Sequence, residues 1–151
     1  MTILILNGPN LNRLGKRKPE LYGSKTMAQI LLDIQRIWPE VHLIYRQSNH
    51  EGDLIDWIQE ANDRKNGLEE EQMSGIVLNA GGYSHTSVAL RDAVEESDLP
   101  VVEVHISDIT QREPFRQQSL ITDVCAHKII GKGTKGYEEA VQYILSLGNN
   151  A

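Results

Sequence analysis

Glu103 and His105 stand two residues apart in a short apolar run, VVEVHIS. In an extended strand alternate side chains share a face, so this carboxylate can orient the imidazole or strengthen its hold on a proton. Such a pair suits proton transfer at a strand end and plain structure inside a core. His85, Val88, Ala89 and Asp92 follow i, i+3, i+4, i+7 spacing. That pattern predicts one helix face with His85 and Asp92 on its inward stripe, the alternative being a helix-edge histidine and a solvated aspartate. Gly81-Gly82 just ahead makes the helix start a natural anion site. Arg112 and Arg116 are four apart around Pro114, so one helical turn would align two guanidinium groups; two solvated arginines are the alternative. Arg13, Lys16, Arg17 and Lys18 make an early loop basic, and the same loop holds Tyr22. A positive patch in a chain of net charge −6 points to a small anionic substrate or a catalytic anion.

Other motifs carry less. Residues 131–136, GKGTKG, match G-x-G-x-x-G after an apolar run, but a dinucleotide fingerprint opens a βαβ unit with an acidic residue about 20 positions on. Here one helical pattern follows and the sequence stops, so a tight strand–helix turn is the expectation. His42, His50, His85, His105 and His127 show no metal-type spacing, and no metal site is expected. No serine sits in a G-x-S-x-G elbow, and Cys125 has no evident base beside it.

The elements that must position these residues alternate. Residues 2–7, 41–47, 75–79, 101–106 and 127–130 read as strands. Met27, Ile30, Leu31, Ile34, Ile37 and Trp38 follow helical spacing behind a Thr26/Gln29 capping box, with Pro39 as the stop. Leu54, Ile55, Ile58 and Ala61 form a second stripe. A third helix starts at Ser84 or Thr86, and a last one carries Tyr137, Ala140, Val141, Ile144 and Leu145 up to Gly148. Residues 10–23 and 107–122 read as polar loops, and 66–72 as a loop or ragged helix end. Strands alternating with helices imply a parallel sheet covered on both faces. Five such units in one domain spanning residues 1–151 fit an α/β, flavodoxin-like fold with strand order 2-1-3-4-5. Ligands of such sheets bind beyond the carboxyl ends of the strands. Here those ends carry Asn7-Gly8-Pro9-Asn10, Asn79 and the Glu103–His105–Ser107 run, a convergence that points to a small-molecule site.

Composition narrows the class. A chain of 151 residues with a single cysteine has no disulfide framework, and a domain this size folds without one. A pI near 5.3 argues against nucleic-acid backbone binding. No apolar run reaches the ~18 residues of a membrane span. The start MTILILNGPN has neither a basic n-region nor a cleavage site, so a cytoplasmic setting is expected, with no nucleic acid and no membrane as partner.

Four long segments, in order, resemble type II 3-dehydroquinate dehydratase: residues 7–23 (NGPNLNRLGKRKPELYG), 47–52 (QSNHEG), 79–92 (NAGGYSHTSVALRD) and 103–119 (EVHISDITQREPFRQQS). The tail GKGTKGYEEA fits as well. The resemblance implies dehydration of 3-dehydroquinate to 3-dehydroshikimate, in aromatic amino-acid synthesis or quinate breakdown. It implies no cofactor, no Schiff-base lysine and a homo-oligomer, a dodecamer built from trimers. It implies Tyr22 as the base, Arg17 as stabiliser of the tyrosinate, and His105 as the general acid oriented by Glu103. Asn10 would help hold the enolate. Asn79 and the backbone of Ile106 and Ser107 would hold the substrate carboxylate and its hydroxyl. His85 and Arg116 would read other hydroxyls, Arg112 would sit close to the tyrosine, and Asp92 would reach a neighbouring subunit's substrate region. Two positions depart from the usual pattern: Lys18 replaces a glutamate and Asp108 an asparagine.

The residues themselves fit those demands. A cofactor-free elimination from a hydroxylated ketoacid needs a base, an acid, an enolate stabiliser and a carboxylate site. A phenol with a reference pKa of about 10 is a poor base at neutrality unless cations sit beside it, and Arg17 and Arg112 are the candidates. Two other readings of the scaffold are a flavodoxin-like binding or signalling module and a different proton-abstracting enzyme for small carboxylates. A signalling receiver wants acidic residues at its strand ends, and strand 1 here ends in Asn-Gly-Pro-Asn.

Overall fold

The computed structural model describes residues 1–65 and 72–148. The expectation for 66–72 therefore lies outside the described residues, Gln72 apart. Five parallel strands form one sheet in the order β2-β1-β3-β4-β5. They are β1 (Thr2–Asn7), β2 (His42–Gln47), β3 (Met73–Asn79), β4 (Val101–His105) and β5 (His127–Ile130). This is the expected α/β order.

β1 is buried along its length because both of its faces are covered, as a near-continuous aliphatic run implies. Ile3, Ile5, Val77, Val102 and Val104 point to one face, against α2 (Met27–Ile37) and α5 (Lys135–Gly148). Leu4, Leu6, Ile76, Leu78 and Val101 point to the other, against α3 (Glu51–Lys65) and α4 (Val88–Glu96). Strand alternation puts Glu103 and His105 on the same side as Val101. The register sets Gln47, Asn7 and Asn79 level with one another at the carboxyl edge.

The capping box forms as expected: Gln29 N–H donates to Thr26 Oγ1 at 3.3 Å, and Thr26 N–H to Gln29 Oε1 at 2.9 Å. The third helical stripe is a correction. α4 begins one residue after Ser87, whose hydroxyl accepts from Leu90 N–H at 2.9 Å, and not at Ser84 or Thr86. Residues 81–85 form a separate 3₁₀ turn. With the start fixed there, Leu90, Ala93 and Val94 face the core. Val88, Ala89 and Asp92 face outward, and His85 precedes the helix. The larger aliphatic pair, Leu90 and Val94, takes the buried stripe, and the spacing through His85 and Asp92 does not mark an inward face.

The first loop is also more ordered than its polarity suggests. Leu11–Arg13 is a 3₁₀ turn, Pro19–Tyr22 a short helix (α1), and Leu11 and Leu14 are buried in the core. Residues 107–122 run through short turns at Ile109–Gln111 and Pro114–Arg116, with a third at Thr122–Val124. Arg112 and Glu113 between the first two are extended, so the two arginines do not share a helical turn. Residues 131–133 form the expected tight connection into α5, with Gly131 at φ 69° and Gly133 at φ 60°.

Candidate active site

A cavity of about 200 Å³ opens at the carboxyl ends of β1, β3 and β4. Its floor is Asn79 and the β4 end, His105, Ile106 and Ser107. Asn10, Arg17, Tyr22, His85, Arg112 and Arg116 also line it. Ten of the twelve candidate residues line it. Glu103 lies beneath, fully buried, and Asp92 sits on the exposed face of α4.

Close approach of two strand ends creates the space. Gly8 N–H donates to Asn79 O at 2.7 Å, and a Cβ at Gly8 would stand 2.5 Å from the Ala80 carbonyl oxygen. Beyond Pro9 the chain turns at Asn10, which is left-handed at φ 69°. Asn10 is braced by the 47–49 segment. Its N–H donates to Asn49 Oδ1 at 2.9 Å, and Gln47 Nε2 donates to both that oxygen and Gly8 O at 3.2 Å. Tyr83 Oη donates to Asn49 O at 2.7 Å, tying the turn before α4 to the same brace.

α1 delivers Tyr22 into a cationic setting. Arg112 Nη1 donates to the phenol oxygen at 3.0 Å, and the Arg17 guanidinium lies over the ring, 4.9 Å from its centroid. Lys18, at the start of α1 in a left-handed conformation, points to solvent. Asp108 caps its own turn: Oδ1 accepts from Thr110 N–H at 3.0 Å and from Thr110 Oγ1 at 2.5 Å. The aspartate therefore keeps this turn closed.

Across the cavity, His105 Nε2 meets Glu103 Oε2 at 2.5 Å. The carboxylate also accepts from Ser119 Oγ at 2.5 Å and Thr122 Oγ1 at 2.6 Å. Burial opposes the charge on Glu103, but His105 and the two hydroxyls outweigh it and hold the carboxyl below its ordinary value. An ionised Glu103 accepts from Nε2–H, which leaves Nδ1 as the nitrogen for the cavity. His85 is set in the reverse sense. Its Nδ1 lies 2.7 Å from Gln118 O, a pure acceptor, so Nδ1 donates there and Nε2 is the ring nitrogen left over.

Glu113 sits between the cavity arginines, with Oε2 2.9 Å from Arg116 Nε and 3.9 Å from Arg112 Nε. The Arg116 contact is ionic: Nε is buried and makes no hydrogen bond of good geometry. The 131–133 turn fixes the opposite side, Gly133 N–H donating to Ile106 O at 3.1 Å and Gly131 N–H to Ser107 O at 3.3 Å.

With this geometry in place, comparison with known proteins decides the family. A family model described as dehydroquinase class II matches residues 1–145. This chain belongs to the class II dehydroquinase family. It is 53% identical over 145 residues to the 3-dehydroquinate dehydratase of Bacillus subtilis (strain 168), covering 95% of this chain and 93% of the relative. The type II dehydroquinase of Butyrivibrio crossotus superposes with a TM-score of 0.87 at 39% identity, covering 96% of this chain and 97% of that one. That of Propionibacterium acnes gives 0.84 at 36%, covering 96% of each.

Seven lysines occur in this dehydroquinase, and none lines the cavity. Among the described residues no group of three or more His, Cys, Asp or Glu is placed to hold a metal, and no helix is long and apolar enough to cross a membrane. Sequence reasoning missed Asn49, a partner of the cavity residue Asn10, and Ser119 and Thr122, partners of Glu103 beneath the cavity. It read Tyr137 as core. The QSNHEG segment was the available signal for Asn49, since polar residues at a strand's carboxyl end need partners.

Proposed function

We propose that this chain is a class II 3-dehydroquinate dehydratase, a hydro-lyase acting on 3-dehydroquinate in the shikimate pathway or in quinate breakdown. Residues 1–151 are read as one catalytic domain. The observation that carries the reading is that the hydrogen-bonded Tyr22–Arg112 pair and a carboxylate-held His105 line one small cavity.

Tyr22, as tyrosinate, removes the proton next to the ketone, leaving an enolate that Asn10 helps to hold. The enolate expels the hydroxyl group, His105 Nδ1–H protonates it as it leaves, and water and a conjugated enone result. Solvent then takes the proton from Tyr22 and restores one to His105. Arg17 and Arg112 supply the field that sustains the tyrosinate. With no lysine in the lining, the ketone reacts as such, not as an imine. Asn79 and the Ile106–Ser107 backbone are assigned to the carboxylate and its hydroxyl, and His85 Nε2 and Arg116 to the remaining hydroxyls.

A dodecamer of trimers is proposed as the working assembly. The outward face of α4 supports it: Val88 is 61% exposed beside Asp92, and Phe115 nearby in sequence to the cavity arginines is 68% exposed. Asp92 is then assigned to a neighbour's site. A cytoplasmic location is the setting proposed.

The test is turnover of 3-dehydroquinate followed by ultraviolet absorbance of the enone. Steady formation of 3-dehydroshikimate supports the reading. A pure, folded protein that leaves 3-dehydroquinate unchanged contradicts it.

A further inference from the structure

We propose that Tyr137, on the helix behind the sheet, is a positioning residue that fixes the Asn79 side-chain amide so that it presents an N–H to the substrate. The proposal rests on the dehydratase reading and goes beyond it by assigning a role to the GKGTKGY segment.

Tyr137 lies on the buried stripe of α5 with Ala140, Val141 and Ile144, and its side chain is wholly enclosed. Gly136 lets the helix come close, since a Cβ there would stand 3.2 Å from Val104 Cγ1. A buried phenol needs a partner for its hydroxyl, and a directional chain of bonds supplies it. Gly81 N–H donates to Asn79 Oδ1 at 3.2 Å. Asn79 Nδ2 donates to Tyr137 Oη at 2.9 Å. Tyr137 Oη donates to Asn7 Oδ1 at 2.8 Å. Asn7 Nδ2 reaches Tyr45 Oη at 3.4 Å.

The chain has one consistent sense. A backbone N–H only donates, so Gly81 demands the amide oxygen of Asn79. That places the amide nitrogen at Tyr137, which accepts and spends its own proton on Asn7. Burial raises the Tyr137 phenol above its ordinary value, so the proton stays on it. An amide nitrogen has two hydrogens. One goes to Tyr137 and the second remains for the cavity that Asn79 lines. A donor there suits a carboxylate oxygen. Without the phenol oxygen only the longer Gly81 N–H bond, at 3.2 Å, still favours this orientation, and each amide that turns over offers its own oxygen instead, which repels that carboxylate.

The experiment compares the whole protein with Tyr137→Phe, Asn79→Ala and the double variant, read by steady-state turnover of 3-dehydroquinate and by calorimetric affinity for 3-dehydroshikimate. Tyr137→Phe is expected to raise KM and the product Kd roughly tenfold while kcat stays within about threefold, the size expected for one hydrogen bond to a charged group. In the Asn79→Ala background the same change is expected to add nothing, because its effect passes through that amide. Unchanged KM and Kd in Tyr137→Phe overturn the proposal, and so does an equal rise in both backgrounds. Should Tyr137→Phe not fold, Asn7→Ala decides. It removes the acceptor of the phenol proton, freeing Tyr137 to donate to Asn79 and turn the amide over, so KM and Kd again rise with kcat held. Unchanged values there overturn it. Wild-type protein that binds 3-dehydroshikimate without turning over 3-dehydroquinate defeats the dehydratase reading, and the Kd comparison still tests the amide. Wild-type protein that does neither defeats both.

Discussion

At the residue scale the site pairs a cation-held phenol with an anion-held imidazole. Arg112 donates to the phenol oxygen of Tyr22, and the Glu103 carboxylate accepts from the His105 imidazole. On the proposed mechanism, replacing His105 by alanine removes the acid for a poor leaving group, so kcat is expected to fall by roughly 10²–10⁴, the usual effect of a positioned acid. A near-normal kcat with only a raised KM would move His105 to a binding role. Glu103 also ties the site to stability. Its carboxyl is held below the ordinary 4.5, so its ionised form stabilises the fold above that pH. This contribution is lost as pH falls through the lowered folded-state value. Denaturant titrations from roughly pH 6 to 3 are expected to show wild type losing more stability than Glu103→Gln. Parallel losses would mean that the carboxyl gains nothing from His105, Ser119 and Thr122.

At the scale of elements, strand ends set the positions and short turns do the aiming. The Gly8 approach to Ala80 joins β1 to β3 at the cavity floor. Gly8→Ala forces a Cβ to within 2.5 Å of a carbonyl oxygen, and a loss of about 1–3 kcal/mol in denaturant stability is expected. Asn49 holds Asn10 in its left-handed turn, so Asn49→Ala is expected to cut kcat/KM about tenfold, the worth of one strong hydrogen bond, and a variant matching wild type would strip Asn49 of that role. This scale also separates what was legible in the sequence. The five strands and the Thr26 cap could be read because aliphatic runs and capping boxes are local signals. The His85/Asp92 stripe was misread because two helical phases competed, and Ser87 with Leu90 and Val94 settled the choice through tertiary burial. The order within residues 10–23 was hidden because two leucines, Leu11 and Leu14, anchor a loop whose other residues are mostly polar. Tyr137 is core as its helical spacing implies, but nothing local reveals that its hydroxyl also meets a strand end 58 positions away.

At the scale of the whole molecule, a chain of net charge −6 concentrates arginines around one cavity and leaves an apolar and acidic face on α4 uncovered. Assembly is expected to cover that face. Sedimentation should give a mass near twelve times 17.0 kDa, and Asp92→Ala should raise KM while each subunit's own cavity lining stays intact. A fully active monomer would detach Asp92 from the site. The central claim is that Tyr22, set between Arg17 and Arg112, is the base for dehydration of 3-dehydroquinate. The most direct measurement is kcat of wild type and Tyr22→Phe by enone absorbance, with 3-dehydroshikimate affinity taken on the same samples. Wild type should turn over, and Tyr22→Phe should bind product with little change while keeping less than about a hundredth of the rate, as loss of an essential base requires. A variant that binds product and retains more than that would place the base elsewhere.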